Sequence, residues 1–399
     1  MNVSRQLLIA GGGIGGLAAA LALSSAGWQT HVFERVAELS EVGAGLQLGP
    51  NATRLLLSWG LESDLRRVAA VPERIVARSA LSGAELATLP LGASIEARYG
   101  APYFTVHRAE LHRLLCAAVL ARSGVRLDLS QAVHGYSENA DGVTVTTDSS
   151  GVAGAALIGA DGLHSAVRVQ MLGGGAPRGV GDVAYRTLLK TADLPLAARV
   201  NQVTVWLGPD LHVVQYPVRC GEAINLVVLV HGAHHAAQGG WDHAAEPDQV
   251  ERALYATCRP LRDLVAAARH ASLNERPWGM WVLADRPPVS VAGEMARGRV
   301  ALAGDAAHPM RPYLAQGAGM AIEDAAALAA ALADESTDIP TRLQRYAESR
   351  WRRCARVQAR SERNSTIFHA RGLMRLGRDV SLRLMGERLM DVPWLYGRR

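Results

Sequence analysis

Residues 6–35 read QLLIAGGGIGGLAAALALSSAGWQTHVFER, and their order decides the fold. An apolar run ends in three glycines, an alanine- and leucine-rich stretch follows, and a second run closes on an acid. This is the pattern of strand, tight turn, helix and second strand, the start of a βαβ unit. Gly11, Gly13 and Gly16 stand in GxGxxG spacing at the first junction, with Ile14 and Gly15 between them. The first glycine permits the turn, the second lets backbone approach a pyrophosphate, and the third lets helix pack closely on sheet. Forty glycines in 399 residues make the spacing alone unspecific, so its context carries the reading.

Glu34 supplies that context. It closes THVFE about 20 residues beyond the first glycine, where a carboxylate suits the ribose hydroxyls of an adenosine lacking a 2′-phosphate. Arg35 follows it. The helix N-terminus receives the pyrophosphate. These features point to a dinucleotide without separating FAD from NAD.

Outward from this unit, runs at 125–129, 143–147 and 155–158 add strands, and residues 110–124 carry apolar side chains at helical spacing. From about residue 180, VTVWLG, HVVQYPV and INLVVLV are β-branched runs separated by turn residues, which predicts a second lobe built on a sheet. A helical run is expected over 247–271, one more extended segment over 278–288, a buried strand over 300–303, and helices over 320–335 and 341–360. In the last of these, Leu343, Tyr346, Cys354 and Val357 form an inward stripe bordered by Trp351. The expected architecture is α/β: a Rossmann-like domain over 1–177 with local insertions of the second lobe, mainly that second lobe over 178–285, and a return with C-terminal helices over 286–399.

Composition narrows the class. Hydrophobic residues are 49% and charged residues 20%, with a net charge of +5, as in a full-sized globular protein. The arginine-dense region containing Arg350, Arg352, Arg353 and Arg356 reads as solvation of an amphipathic helix or as an anion-attracting face. No module for nucleic acid is recognisable, no run reads as a membrane span, and the four separated cysteines form no CxxC pair, so neither a disulfide framework nor a metal site is expected. A cytoplasmic monomer or homodimer is the default expectation.

Residues 304–325, GDAAHPMRPYLAQGAGMAIEDA, form the second informative stretch. Pro309 and Pro312 stiffen it, while Gly317, Ala318 and Gly319 lead into a helix. Backbone N–H groups at that helix start suit an acceptor that gains negative charge. A third stretch, 207–218, places His212, Val214 and Tyr216 on one face of a strand by alternation.

The chain resembles the class A FAD-dependent aromatic hydroxylases, within them the salicylate hydroxylase and 3-hydroxybenzoate 6-hydroxylase group. The matching pieces are GGGIGG at 11–16, FER at 33–35, GAGLQLGPNA at 43–52, VHRAEL at 106–111, GADGLHSAVR at 159–168 and the GDAAHP segment. The resemblance implies FAD along the N-terminal motif, Arg108 approaching it, Asp161 and Gly162 in a DG motif, and Asp305 at the ribityl region. For Arg108 a surface ion pair, and for Asp161 and Asp305 a cap or turn role, stay open.

The resemblance further implies hydride from NADH or NADPH, a flavin C4a-hydroperoxide formed with O2, and hydroxylation of a phenolic aromatic acid. His212 is the expected base for the phenol, because imidazole titrates near neutrality; a structural histidine is the alternative. Tyr185, Arg186, Tyr216 and Gln316 are candidate pocket residues. Arg311 departs from the apolar residue many relatives carry, and either pairs with the substrate carboxylate or solvates the loop. A salicylate-type substrate is the favoured expectation. The alternatives are 3-hydroxybenzoate 6-hydroxylase-type activity and an FAD-dependent oxidoreductase that inserts no oxygen.

Overall fold

The computed structural model describes residues 5–39, 44–149, 151–232 and 243–397; Gly43, first of the GAGLQLGPNA piece, lies outside the described residues. Gln6–Ala10 is the centre of a six-stranded sheet. Its neighbours are Ala156–Gly159 on one side and Gln29–Phe33 on the other, all parallel, with Val125–Asp128 and Val300–Leu302 extending the parallel run. Leu7, Leu8 and Ile9 are fully buried, as a strand covered on both faces requires. Helix Ile14–Ser25 is apolar almost all round because helices Arg108–Leu120 and Gly317–Leu332 both pack on it.

Among the described residues the second sheet has eight strands. In spatial order they are His243–Ala245, Trp278–Asp285, Arg178–Lys190, Ala223–His231, Leu211–Val218, Val203–Gly208, Arg74–Ser79 and Glu85–Pro90. The last two come from the N-terminal third, so the chain enters this sheet twice. One face is covered by helices Pro247–Ala253, Arg259–Ala266 and Ala268–Ala271. The single helical run expected there is broken: Cys258 is extended at the N-cap of helix Arg259–Ala266, and Pro260, with no N–H and a ring that clashes with the preceding turn, starts a helix but cannot continue one. The opposite face, carrying Ala184 and Leu229, meets Tyr313 of the 304–325 stretch.

Helix Ile339–Phe368 begins on Asp338, whose side chain accepts from Thr341 N at 3.0 Å. The predicted stripe of Leu343, Tyr346, Cys354 and Val357 is fully buried. The arginine-dense region divides. Arg352 and Arg356 lie over the rings of Trp351 and Trp394, but Arg350 and Arg353 are buried against Glu323 and Asp324 of the facing helix. For those two the solvated-face reading is corrected by the acids of MAIEDA, which compensate their charge inside the protein. No helix among the described residues is long and apolar enough to cross a membrane.

Candidate active site

The glycine turn has the geometry its spacing implies. Gly11 has φ +103°, and a Cβ there would stand 2.4 Å from the carbonyl oxygen of Ala160. A Cβ on Gly16 would stand 1.9 Å from the carbonyl oxygen of Gly11, so only glycine allows this closeness of helix and strand. Over Gly13 the space is open, and the helix that starts there has no side-chain cap. Gly15 faces Ala321 of the second helix. Glu34 reaches back to the turn: Oε2 accepts from Gly12 N at 2.6 Å and Oε1 from Val36 N at 3.1 Å. Arg35 follows Glu34 and is exposed.

A second uncapped start belongs to helix Gly317–Leu332, with Gln316 at its N-cap and Ala315 held at φ +51°. Asp305 is exposed, with Oδ1 3.9 Å from the position a Cβ would take on Gly317. Among the described residues its carboxylate accepts no hydrogen bond. Arg168 supports the turn from beneath, donating to the carbonyls of Leu163 at 2.5 Å and Ala306 at 2.9 Å. Burial lowers the pKa of Arg168 to about 10.

Behind the turn, Asp324 Oδ2 accepts from Gly304 N at 2.9 Å and meets His308 Nε2 at 2.5 Å, while Oδ1 takes Arg350 at 2.7 Å. Burial opposes the charge on Asp324, but His308 and Arg350 outweigh it and hold its pKa at about 2. Burial likewise opposes a charged His308, and contact with Cys354 and Asp324 outweighs it, raising that pKa well above 6.5. His308 is therefore a fixed strut under the loop.

These residues fit FAD. Two long helices present uncapped N–H groups, glycine leaves room at Gly13 and Gly162, and Glu34 and Asp305 offer acceptors at either end. Arg108 starts helix Arg108–Leu120 with its N–H on the carbonyl of Ala44 at 3.0 Å. Asp161 does act at a helix start, Oδ2 accepting from Val167 N at 3.2 Å beside the Ser165 cap, and burial raises its pKa.

The sheet face opposite this loop gathers the polar residues. His212 and Tyr216 are both buried and share that face. His212 lies 5.0 Å from the ring of Tyr313 and 5.3 Å from that of Phe368, and its Nδ1 is 2.9 Å from Nε2 of His369. Burial, then His369, pushes its pKa well below 6.5. Tyr216 packs where a Cβ on Gly45 would stand, at 2.5 Å, and Gly45 N donates to Asn225 Oδ1 at 2.6 Å. This explains the glycine in GAGLQL. Nearby, Tyr103 donates to Gln47 Oε1 at 2.8 Å, and burial raises the pKa of Tyr216.

Arg311 takes neither expected place. Its Nε lies on Asp285 at 2.7 Å and Nη1 donates to Ser365 at 3.0 Å, so the guanidinium ties the loop to the sheet and the long helix. Pro312 is exposed at the start of the turn Pro312–Leu314. Gln316 is buried and accepts from Asn51 at 3.0 Å. Tyr185 points to the helical side of the sheet, where its hydroxyl accepts from Gln249 at 3.2 Å. Arg186, one residue on, faces the site and lies 4.8 Å over the ring of Trp281.

Sequence reasoning missed Tyr313, His369 and Asp182. Tyr313 sat in a quoted stretch read for its glycines and prolines. His369 and Asp182 carry no motif, and only cross-strand pairing of Asp182 with His231 and the exit of the long helix at His369 bring them together.

Comparison with known proteins agrees with this geometry. Residues 4–361 match the family described as FAD binding domain. The 3-hydroxybenzoate 6-hydroxylase of Polaromonas naphthalenivorans is 38% identical, covering 98% of this chain and 95% of its own. A 3-amino-4-hydroxybenzoate 2-monooxygenase of Streptomyces platensis is 37% identical, covering 98% and 96%. Among solved structures, a salicylate hydroxylase substrate complex superposes with TM-score 0.83 at 25% identity, over 100% of this chain and 97% of that one. Klebsiella pneumoniae HpxO complexed with FAD and uric acid superposes with TM-score 0.83 at 28% identity, over 96% and 94%. The match spans the glycine turn, the DG segment and the 304–325 loop, and this chain belongs to the class A FAD-dependent aromatic hydroxylases.

Proposed function

We propose that the chain hydroxylates a phenolic benzoic acid of the 3-hydroxybenzoate type para to its hydroxyl, with NADH or NADPH and O2 as co-reactants. Arg186 carries this reading. Its Nε is buried without a hydrogen-bond partner, and among the described residues the guanidinium has no carboxylate partner. Burial lowers its pKa. Arg186 as a whole is half-buried, so a substrate carboxylate meeting it forms a charge-assisted hydrogen bond partly withdrawn from water. The Trp281 ring fixes the plane of the guanidinium for two-point contact.

Spacing favours the meta acid. Arg186 pairs across strands with Val227, Val227 with Val214, and Val214 lies between His212 and Tyr216. The backbones of Arg186 and His212 thus stand two strands apart and two residues along, about 12 Å by ordinary strand spacing and rise. A ring whose hydroxyl and carboxylate point apart engages both. Salicylate, with its two groups adjacent, presents them to one side. The identity to the Polaromonas 3-hydroxybenzoate 6-hydroxylase supports the same order, so the salicylate-type expectation gives way to its alternative.

In this account His212 accepts the phenolic proton, Tyr216 and Tyr313 wall the ring, and Arg186 holds the carboxylate. FAD, when bound, supplies the hydride and oxygen chemistry. Titration of the FAD-loaded protein, followed by flavin absorbance, tests the order of substrates: 3-hydroxybenzoate is expected to bind at least tenfold more tightly than salicylate. The reverse order overturns the meta reading.

A further inference from the structure

We propose that His212 is the inner end of a proton path to solvent that runs through His369 and the Asp182–His231 pair. The path rests on the reading of His212 as the base for the phenol. His212 Nδ1 and His369 Nε2 are 2.9 Å apart, hydrogen-bonding distance for one donor and one acceptor nitrogen. Polar atoms of His369, Asp182 and His231 all lie within 4.8 Å of one another, a gap one water bridges with two ordinary hydrogen bonds. His231 Nδ1 meets Asp182 Oδ1 at 2.5 Å, and its side chain is 53% exposed. The row therefore begins in the buried site and ends at the surface.

The chemistry needs such an exit. Burial keeps His212 neutral, and burial holds the pKa of His369 at about 4, so neither imidazole retains a proton taken from a phenol near neutral pH. Transfer onward leaves both neutral. The phenolic O–H bond breaks and an N–H bond forms on Nε2 of His212; the Nδ1 proton passes to Nε2 of His369. The other nitrogen of His369 gives its proton to Asp182 or a water beside it, and His231 passes it to solvent. One proton leaves, each ring ends as its other tautomer, and no electrons move.

The groups facing His369 suit a neutral relay. Asp182 on strand Arg178–Lys190 and Asp210 in the turn before strand Leu211–Val218 raise its proton affinity, while His231 and Arg378 of helix Gly372–Met385 lower it. Arg371 is paired with Asp210. The Tyr313 hydroxyl donates to Asp182 Oδ2, leaving Oδ1 toward the histidines.

Proton release on binding 3-hydroxybenzoate tests the path. FAD-loaded protein is mixed with the acid anaerobically, without NAD(P)H, and phenolate absorbance and an indicator dye are followed by stopped flow. His369→Leu is expected to slow release at least tenfold, keep Kd within twofold, and recover with added imidazole buffer. His369→Gln, which keeps polarity and size, slows release to the same degree if relay and not packing matters. His231→Gln slows it only in weak buffer. Wild-type release in both His369 variants, with slow release in His212→Gln, overturns the path and leaves the base reading intact. Wild-type release in His212→Gln overturns both.

Discussion

Arg311 Nε rests 2.7 Å from Asp285 Oδ2, and Arg178 Nε takes the other oxygen of the same carboxylate at 2.6 Å. One acid thus ties the loop over the site to two segments of the chain. Arg311→Met is expected to lower stability by about 1–3 kcal/mol, below the cost of breaking a fully buried pair because its side chain is 17% exposed. Substrate Kd should stay within threefold. A tenfold loss of affinity at unchanged stability would return Arg311 to the role of carboxylate partner.

Arg186→Met should raise the Kd for 3-hydroxybenzoate by about 10–100-fold, the loss of a charge-assisted hydrogen bond at 1.5–3 kcal/mol. The same substitution should change the Kd for 3-hydroxybenzamide, which has no carboxylate, by less than threefold. Equal losses for both ligands would mean that Arg186 shapes the site without meeting the acid.

The glycine turn separates folding from cofactor binding. Gly16→Ala places a methyl 1.9 Å from the Gly11 carbonyl, and little folded protein is expected. Gly13→Ala meets no protein atom within 4 Å, so the chain should fold and melt normally while retaining at least tenfold less flavin, measured by absorbance per chain. Full flavin retention in Gly13→Ala would remove the pyrophosphate from that position.

Stability should fall in two steps as pH falls. The folded pKa of His369 is about 4 against an ordinary 6.5, so between those values the unfolded chain binds more protons and stability drops as pH is lowered. Asp324, held at about 2 against 3.8, contributes stability above pH 3.8 that is lost as pH falls toward 2. Urea midpoints measured across both windows should show the decline, and His369→Leu should flatten the upper one. An unchanged upper slope would assign that loss to other groups.

The sequence made the fold legible wherever a local rule applied. The apolar run, glycine turn and closing acid of 6–35 gave the parallel sheet, and alternation in 207–218 put His212 and Tyr216 on one face. What it hid was set by long-range pairing. Arg311 met Asp285 because two segments meet in space, and no spacing encodes that. Arg350 and Arg353 looked like surface charge until Glu323 and Asp324 faced them. His369 lies more than a hundred and fifty residues from His212, and only the length and direction of helix Ile339–Phe368 bring the two rings together.

Product analysis tests the central claim most directly. FAD-loaded protein is supplied with NADH or NADPH and O2 and, in parallel, with 3-hydroxybenzoate and salicylate. The account predicts gentisate from the first, formed in proportion to nicotinamide oxidised, and little catechol from the second. Catechol as the main product would contradict the substrate assignment, and nicotinamide oxidation yielding only hydrogen peroxide with both acids would contradict the placement of a phenolic benzoate between Arg186 and His212.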